Sequence, residues 1–283
     1  MGEGWGGVGG GLALRTQNLT LMFTYLRASQ SRSLLGEGQI LNPCFPFPNH
    51  HEDYNVPSDH DVYLAIFDHD GVLVDSLELH TQAWVEMGRR SGLSFPPNFI
   101  HETFGMTNPS IFRKLLGDKV GDHDIQGYSD LKEVCYRDVA RGKIQLMDGV
   151  RDVLDALTAR GVKLAIGSSG VLPNLELTVN ECGLTGRFAA IASLEDITHG
   201  KPDPEVFLVA AKKAGCEPRR AVVFEDAVVG IQAAKAAGMY AVGVMTTHPA
   251  AALKDAGADE VVENLVGYDV GRLVERLVAG AKR

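Results

Sequence analysis

The chain has 283 residues, 45% hydrophobic and 22% charged, with a formal net charge of −9. That length holds one large domain or a core with a smaller one, and no apolar run is long enough to span a bilayer, so no membrane partner is expected. The acidic balance and the lack of a basic stripe exclude nucleic acid as a partner, but leave room for a small anionic ligand in a locally cationic pocket.

Residues 1–60 read as an extension outside the folded part. Glycine crowds Met1 to Gly11, and the prolines of Asn42-Pro43-Cys44-Phe45-Pro46-Phe47-Pro48 block regular structure. Arg15, Arg27 and Arg32, with serines and few acids, give a faint transit-peptide character. The glycine-rich start is not amphipathic, so a disordered extension is the expectation. Cysteines at 44, 135, 182 and 216 are scattered, with no Cys-x-x-Cys pair. Neither a disulfide framework nor a zinc site is expected, which indicates a reducing, cytoplasmic setting.

Val62 to Phe67 is an apolar run with the composition of a buried strand, and charge follows abruptly in Asp68-His69-Asp70-Gly71. Side chains alternate along a strand, so Asp68 and Asp70 share a face while extended geometry persists, and His69 turns away from it toward packing. Gly71 permits a sharp change of direction. Acids at the end of an apolar strand are costly without a compensating cation, which points to a metal-assisted site. Leu79, Ala83, Trp84 and Met87 then predict a helix over 76–91, stopped by Gly92. From about 96 to 145 there is no β-rich run; short helices are expected at Phe99 to Phe104, Pro109 to Leu116 and Ser129 to Ala140, broken by Gly105, Gly117 and Gly127. This block predicts a small helical domain over 78–145, inserted into a core made of 61–77 and 146–283.

Strand and helix then alternate. Helices are expected at 150–160, 172–182, 204–214, 228–237, 250–256 and 268–279, with strands at 162–166, 188–192, 221–224, 240–244 and 260–262. Repeated β–α units with right-handed crossovers predict an α/β, Rossmann-like fold: a mainly parallel sheet with helices on both faces, the helical insert capping its C-terminal edge.

Three further strand ends carry chemistry. Ser168 and Ser169 follow the strand at 162–166, where a hydroxyl beside backbone N–H groups suits an anionic oxygen; a helix cap is the plain alternative. Gly200-Lys201-Pro202-Asp203-Pro204 sets one lysine before two prolines that fix the local backbone; a solvated loop lysine is its alternative. Glu225-Asp226 ends the strand at 221–224, and with the first acids it would complete an oxygen-ligand shell for Mg²⁺; helix capping by Asp226 is the alternative, a poorer account of two acids behind a buried strand.

Asp68-His69-Asp70-Gly71-Val72-Leu73-Val74-Asp75-Ser76, Ser168, Lys201-Pro202 and Glu225-Asp226 resemble the four ordered motifs of the haloacid dehalogenase-like superfamily, over roughly residues 62–280. The helical insert is similar to the cap of the subgroup holding β-phosphoglucomutase and sugar-phosphate phosphatases. The resemblance implies a Mg²⁺-dependent hydrolase of a small phosphorylated metabolite, a monomer or weak homo-oligomer. In it Asp68 is the nucleophile that forms an aspartyl-phosphate and Asp70 is the general acid and base. Asp68, Asp70, Glu225 and Asp226 hold the metal, while Lys201 and Ser168, with Ser169 beside it, bind phosphoryl oxygens. The presence of Asp70 favours phosphate over carbon–halogen chemistry. A β-phosphoglucomutase-like isomerase is the alternative, and a non-catalytic binding scaffold a remoter one. Against the mutase, Phe104 and Asn108 stand where that pattern carries a lysine and an arginine. Lys132 is the best-placed substitute cation, although a solvated helix face would explain it more simply. His80 matches a histidine at the hinge between core and cap, where it either contacts substrate and acid or packs beside Trp84.

Overall fold

Leu64, Ala65, Ile66 and Phe67 are fully buried, as a strand covered on both faces must be. In the computed structural model they form β1 (Leu64–Phe67), at the middle of a six-stranded sheet. Residues 62–281 are described, apart from 97–98, 100–102, 104–106 and 118–119. The expectations for residues 1–60, for Phe104 and for most of the short helix after Phe99 lie outside the described residues.

Among the described residues, three helices with full bounds follow β1: α1 (Leu77–Ser91), α2 (Asn108–Leu116) and α3 (Asp122–Ala140). The chain then runs through α4 (Val150–Ala159), β2 (Lys163–Gly167), α5 (Leu172–Glu181) and β3 (Ala190–Ala192). Next come α6 (Glu205–Ala214), β4 (Ala221–Glu225), α7 (Val228–Ala236) and β5 (Tyr240–Val244). The last elements are α8 (Ala250–Asp255), β6 (Glu260–Val262) and α9 (Val270–Ala281). Every strand pairing is parallel, in the order β3-β2-β1-β4-β5-β6. The sheet therefore grows outward from β1 to β3, then returns to lay β4 on the other flank of β1. That reversal opens a crevice at the C-terminal ends of β1 and β4, where open α/β sheets take their ligands.

On one face, Leu64, Ile66 and Val223 pack with Val206 and Phe207 of α6 and Ile231 and Ala234 of α7. On the other, Phe67 and Phe224 are register partners whose rings stack with centroids 4.6 Å apart. Tyr268 meets Phe224 edge-on at 5.7 Å. These rings immediately precede Asp68 and Glu225, so their packing sets where both acids emerge.

The sequence expectation for α3 is too short. The helix starts at Asp122 and runs through Gly127, because Ile125, Tyr128, Leu131, Lys132, Cys135 and Tyr136 are buried along one stripe. That buried stripe outweighs the cost of a helical glycine, about 1 kcal/mol. Helices α1 to α3 pack on one another around Trp84, whose ring lies 5.3 Å from both Phe95 and Phe112 and 6.1 Å from Phe99. The chain enters and leaves this helical layer side by side: Val74 bridges Leu146, and Met147 N–H donates to the Leu73 carbonyl at 2.9 Å.

Deleting the Phe224 ring leaves Phe67 and Tyr268 facing a cavity. Phe224→Ala should lower stability by about 3–5 kcal/mol, read by chemical denaturation. A change below about 1 kcal/mol would show that the stack does not support this edge of the sheet.

Candidate active site

β1 ends at Phe67, and Asp68 is the first residue beyond it; its N–H donates to the Phe224 carbonyl at 3.0 Å. The chain then turns sharply. Leu73 and Val74 N–H groups both donate to the His69 carbonyl, and Gly71 takes a positive φ of 76°. A Cβ on Gly71 would overlap the Asp226 carboxylate, so glycine is required there for space as well as for backbone conformation.

Lys201 Nζ, from the loop after β3, lies 2.9 Å from Asp68 Oδ1 and 2.6 Å from Glu225 Oε1. Burial works against its charge, but Asp68 and Glu225 keep its pKa above the usual lysine value. Glu225 is fully buried, and its other oxygen accepts from Ala227 N–H at 2.7 Å. Gly230 of α7 approaches so closely that a Cβ would overlap the Glu225 carboxylate. Asp226 Oδ2 accepts from Thr247 Oγ1 at 2.7 Å. Asp68, Glu225 and Asp226 each place one carboxylate oxygen within 4.8 Å of the others.

Three acids thus surround one ammonium. Burial pushes Asp68 up to about 6; Lys201 opposes that, while Glu225 and Asp70 add to it. Burial, then Glu225 and Asp68, pushes Asp226 up to about 8. Lys201 Nζ meets Asp68 Oδ1 as an ion pair at 2.9 Å, and that buried oxygen accepts no hydrogen bond. Hard oxygen donors, surplus negative charge and an unbonded buried oxygen fit a hard divalent cation.

Ser168 is buried at the end of β2, with its Oγ accepting from Gly170 N–H at 3.0 Å. Phe67 pairs with Ile166, so Ser168 stands one residue beyond the level of Asp68 on the adjacent strand. Ser169 is exposed, and among the described residues no hydrogen bond ties it to the carboxylates.

The expectation that His69 turns away from the acids is not met, because the strand ends before it and alternation no longer applies. His69 is 2% exposed, with Nδ1 2.9 Å from Asp70 Oδ1 and Nε2 2.7 Å from Thr178 Oγ1 of α5. Burial disfavours its charged form, but Asp70 and then Asp68 raise its pKa above the ordinary value. Burial disfavours the Asp70 carboxylate too, yet His69 and His80 hold it well below the usual carboxylate range.

His80 links this acid to the helical layer. Its Nε2 is 3.7 Å from Asp70 Oδ1, its Nδ1 is 2.8 Å from Lys132 Nζ, and its ring stacks on Tyr136 at 4.2 Å. Burial, then Lys132, lowers its pKa, so the neutral ring is the stable form near pH 7. Lys132 does not lie on a solvated helix face; it is 3% exposed and bonds Glu133 Oε1 at 2.9 Å. Glu133 also accepts from Asn108 at 2.6 Å and from Asn174 of α5 at 2.5 Å, tying the helical layer to the sheet.

The first motif included Ser76 but assigned it no role, and its hydroxyl donates to Asp70 Oδ1; sequence reasoning missed Thr178, Glu133, Asn174 and Thr247. Only Thr247 carried a signal, as a hydroxyl residue just past the apolar strand that neighbours β4.

A carboxylate cluster around one ammonium, at the reversal point of a parallel sheet, defines an α/β enzyme. The chain belongs to the haloacid dehalogenase-like hydrolase family, whose model matches residues 63–238. It is 32% identical over 199 residues to validoxylamine A 7'-phosphate phosphatase of Streptomyces hygroscopicus subsp. limoneus, covering 68% of this chain and 90% of that protein. It is 31% identical over 237 residues to a β-phosphoglucomutase of Mycobacterium tuberculosis, covering 72% and 90% of the two chains. A family IA, variant 3 hydrolase of the same family from Entamoeba histolytica superposes with a TM-score of 0.69 at 25% identity, covering 77% of this chain and all of that one.

Acids whose pKa rises on folding keep protons that the unfolded chain has lost. The native state therefore binds more protons between about pH 4 and pH 8, and these groups cost stability as pH rises through that window. In chelator, Tm should fall across that interval. A saturating divalent cation should raise Tm more at about pH 8 than at about pH 5, because it offsets ionised acids. An equal shift at both pH values would argue against the cluster as the cation site.

Proposed function

We propose that this protein is a Mg²⁺-dependent phosphomonoesterase that hydrolyses a small phosphorylated metabolite, a sugar phosphate being the simplest fit, through an aspartyl-phosphate on Asp68. The observation that carries the reading is the division of labour between two acids two residues apart. Asp68 lies against Lys201 in the carboxylate cluster, whereas the Asp70 carboxyl is bonded by His69 and Ser76 with His80 3.7 Å away. In-line phosphoryl transfer needs such a pair: one carboxylate to attack phosphorus, another to manage the proton of the leaving oxygen.

Asp68 attacks as a carboxylate, which Lys201 keeps ionised. Lys201 Nζ, the Ser168 hydroxyl and nearby backbone N–H groups bind the non-bridging oxygens and follow their charge into the transition state. Asp70 is ionised in the free site; it takes up a solvent proton as the anionic substrate binds beside it, gives that proton to the leaving oxygen, and then takes one from the water that cleaves the acyl phosphate. Glu225 orients Lys201, since both its oxygens are already committed, one to that ammonium and one to Ala227 N–H. Asp68, Asp226 and the Asp70 carbonyl would hold Mg²⁺, with Glu225 at its side, and the ion would draw charge from a phosphoryl oxygen. Residues 78–145, which hold α2, α3 and all of α1 but its first residue, serve as the cap that excludes bulk water.

Hydrolysis is favoured over phosphomutase chemistry because an isomerase must hold a second phosphate on cationic cap groups. Among the described residues, Lys132 pairs with Glu133 and Arg113 with Asp122, while Arg137 is held by a hydrogen bond to Asn174. Asn108 is likewise engaged by Glu133.

The test is phosphate release from p-nitrophenyl phosphate and from a panel of sugar phosphates. Chelation should abolish it and Mg²⁺ restore it, and Asp68→Asn should be inactive with the fold intact by circular dichroism. Asp70→Asn should lose about 10²–10⁴-fold in kcat/KM on sugar phosphates. Full activity in Asp68→Asn would sink the nucleophile assignment, and sugar-phosphate interconversion with a bisphosphate activator would favour the mutase.

A further inference from the structure

We infer that His69, braced on Thr178, is a positioning residue that grips Asp70 by Oδ1 and leaves Oδ2 as the oxygen that exchanges the proton. The inference rests on the phosphatase reading above.

A carboxylate only accepts hydrogen bonds, so the hydrogen on His69 Nδ1 points at Asp70 Oδ1, 2.9 Å away. In the neutral ring Nε2 then accepts from the Thr178 hydroxyl at 2.7 Å, and Thr178 is fully buried in α5. Two hydrogen bonds at opposite ends of a planar ring fix its rotation, and His69 becomes a strut between α5 and the turn after β1. Ser76 Oγ donates to the same Oδ1, and His80 Nε2 approaches it at 3.7 Å. Among the described residues, every hydrogen bond accepted by the Asp70 carboxyl falls on Oδ1, while a third of that side chain stays open to solvent.

The terminal torsion of an aspartate is broad, and an ungripped carboxyl would swap its two oxygens freely. With Oδ1 held by donors, the proton that Asp70 takes from solvent as the anionic substrate binds can only sit on Oδ2; that Oδ2–H bond then breaks as the phosphorus–oxygen bond to the leaving group breaks and the Asp68–phosphorus bond forms, and the proton passes to the leaving oxygen. In the second half, Oδ2 takes a proton from the attacking water. An apolar residue at position 69 would pack equally well, but could not hold Oδ1.

Leaving-group dependence separates positioning from packing. A p-nitrophenolate departs without protonation, whereas an alkoxide needs the acid, and kcat/KM reports the step in which it leaves. We would measure kcat/KM on p-nitrophenyl phosphate and on β-glycerol phosphate for wild type, His69→Leu, His69→Asn and Thr178→Val. In His69→Leu the alkyl-to-aryl ratio should fall by about tenfold or more, and in Thr178→Val by a smaller factor. His69→Asn, whose amide can replace the Nδ1 donor, should recover most of the ratio. It and Thr178→Val carry the comparison if the leucine variant does not fold. Ratios equal to wild type, with both substrates affected alike or neither, overturn the inference. Wild type inactive on both phosphates would instead overturn the phosphatase reading.

Discussion

The structure depends on confining more negative than positive charge at one edge of a dry sheet. Asp68, Glu225 and Asp226 converge, with Lys201 as the ammonium bonded into the cluster. No folded chain gains stability from such a cluster on its own account, since each buried acid costs desolvation that a single ammonium does not repay. What supports it is rigid and apolar. The stacked rings of Phe67 and Phe224 fix the ends of β1 and β4, and Gly71 and Gly230 let Asp226 and Glu225 sit where any side chain would displace them.

A second polar system lies above the first. It runs from Asp70 through His80 to Lys132, then through Glu133 to Asn108 and Asn174. Inside a low-dielectric interior such a chain is favourable only when each member has a partner, and here each of its members does. It joins the helical layer to α5 by hydrogen bonds.

Much of this was legible in the residues. Acids after an apolar strand, a lysine framed by prolines and an acid pair after another strand all fall at strand ends, and strand ends can be read from hydrophobic patterning. The pattern failed where tertiary packing outvoted local preference. Gly127 looks like a break, yet α3 passes through it because the buried stripe around Leu131 and Tyr136 holds the helix together. His69 looks like a packing residue only if the strand continues past Phe67, which it does not. Lys132 reads as a surface lysine because nothing nearby in sequence shows that Trp84, Tyr136 and His80 close over it.

By itself, then, the sequence determined the parallel α/β framework, the order in which its chemical groups arrive, and the acidic, oxygen-rich character of the site. These are properties of spacing and composition, set within a few residues of each strand end. Tertiary structure alone decided which oxygen of Asp70 is gripped, that His69 and Thr178 do the gripping, and that Glu133 claims the charge of Lys132. Those pairings join residues as many as 109 positions apart, and side-chain hydrogen bonds depend on sub-ångström placement that no periodicity encodes.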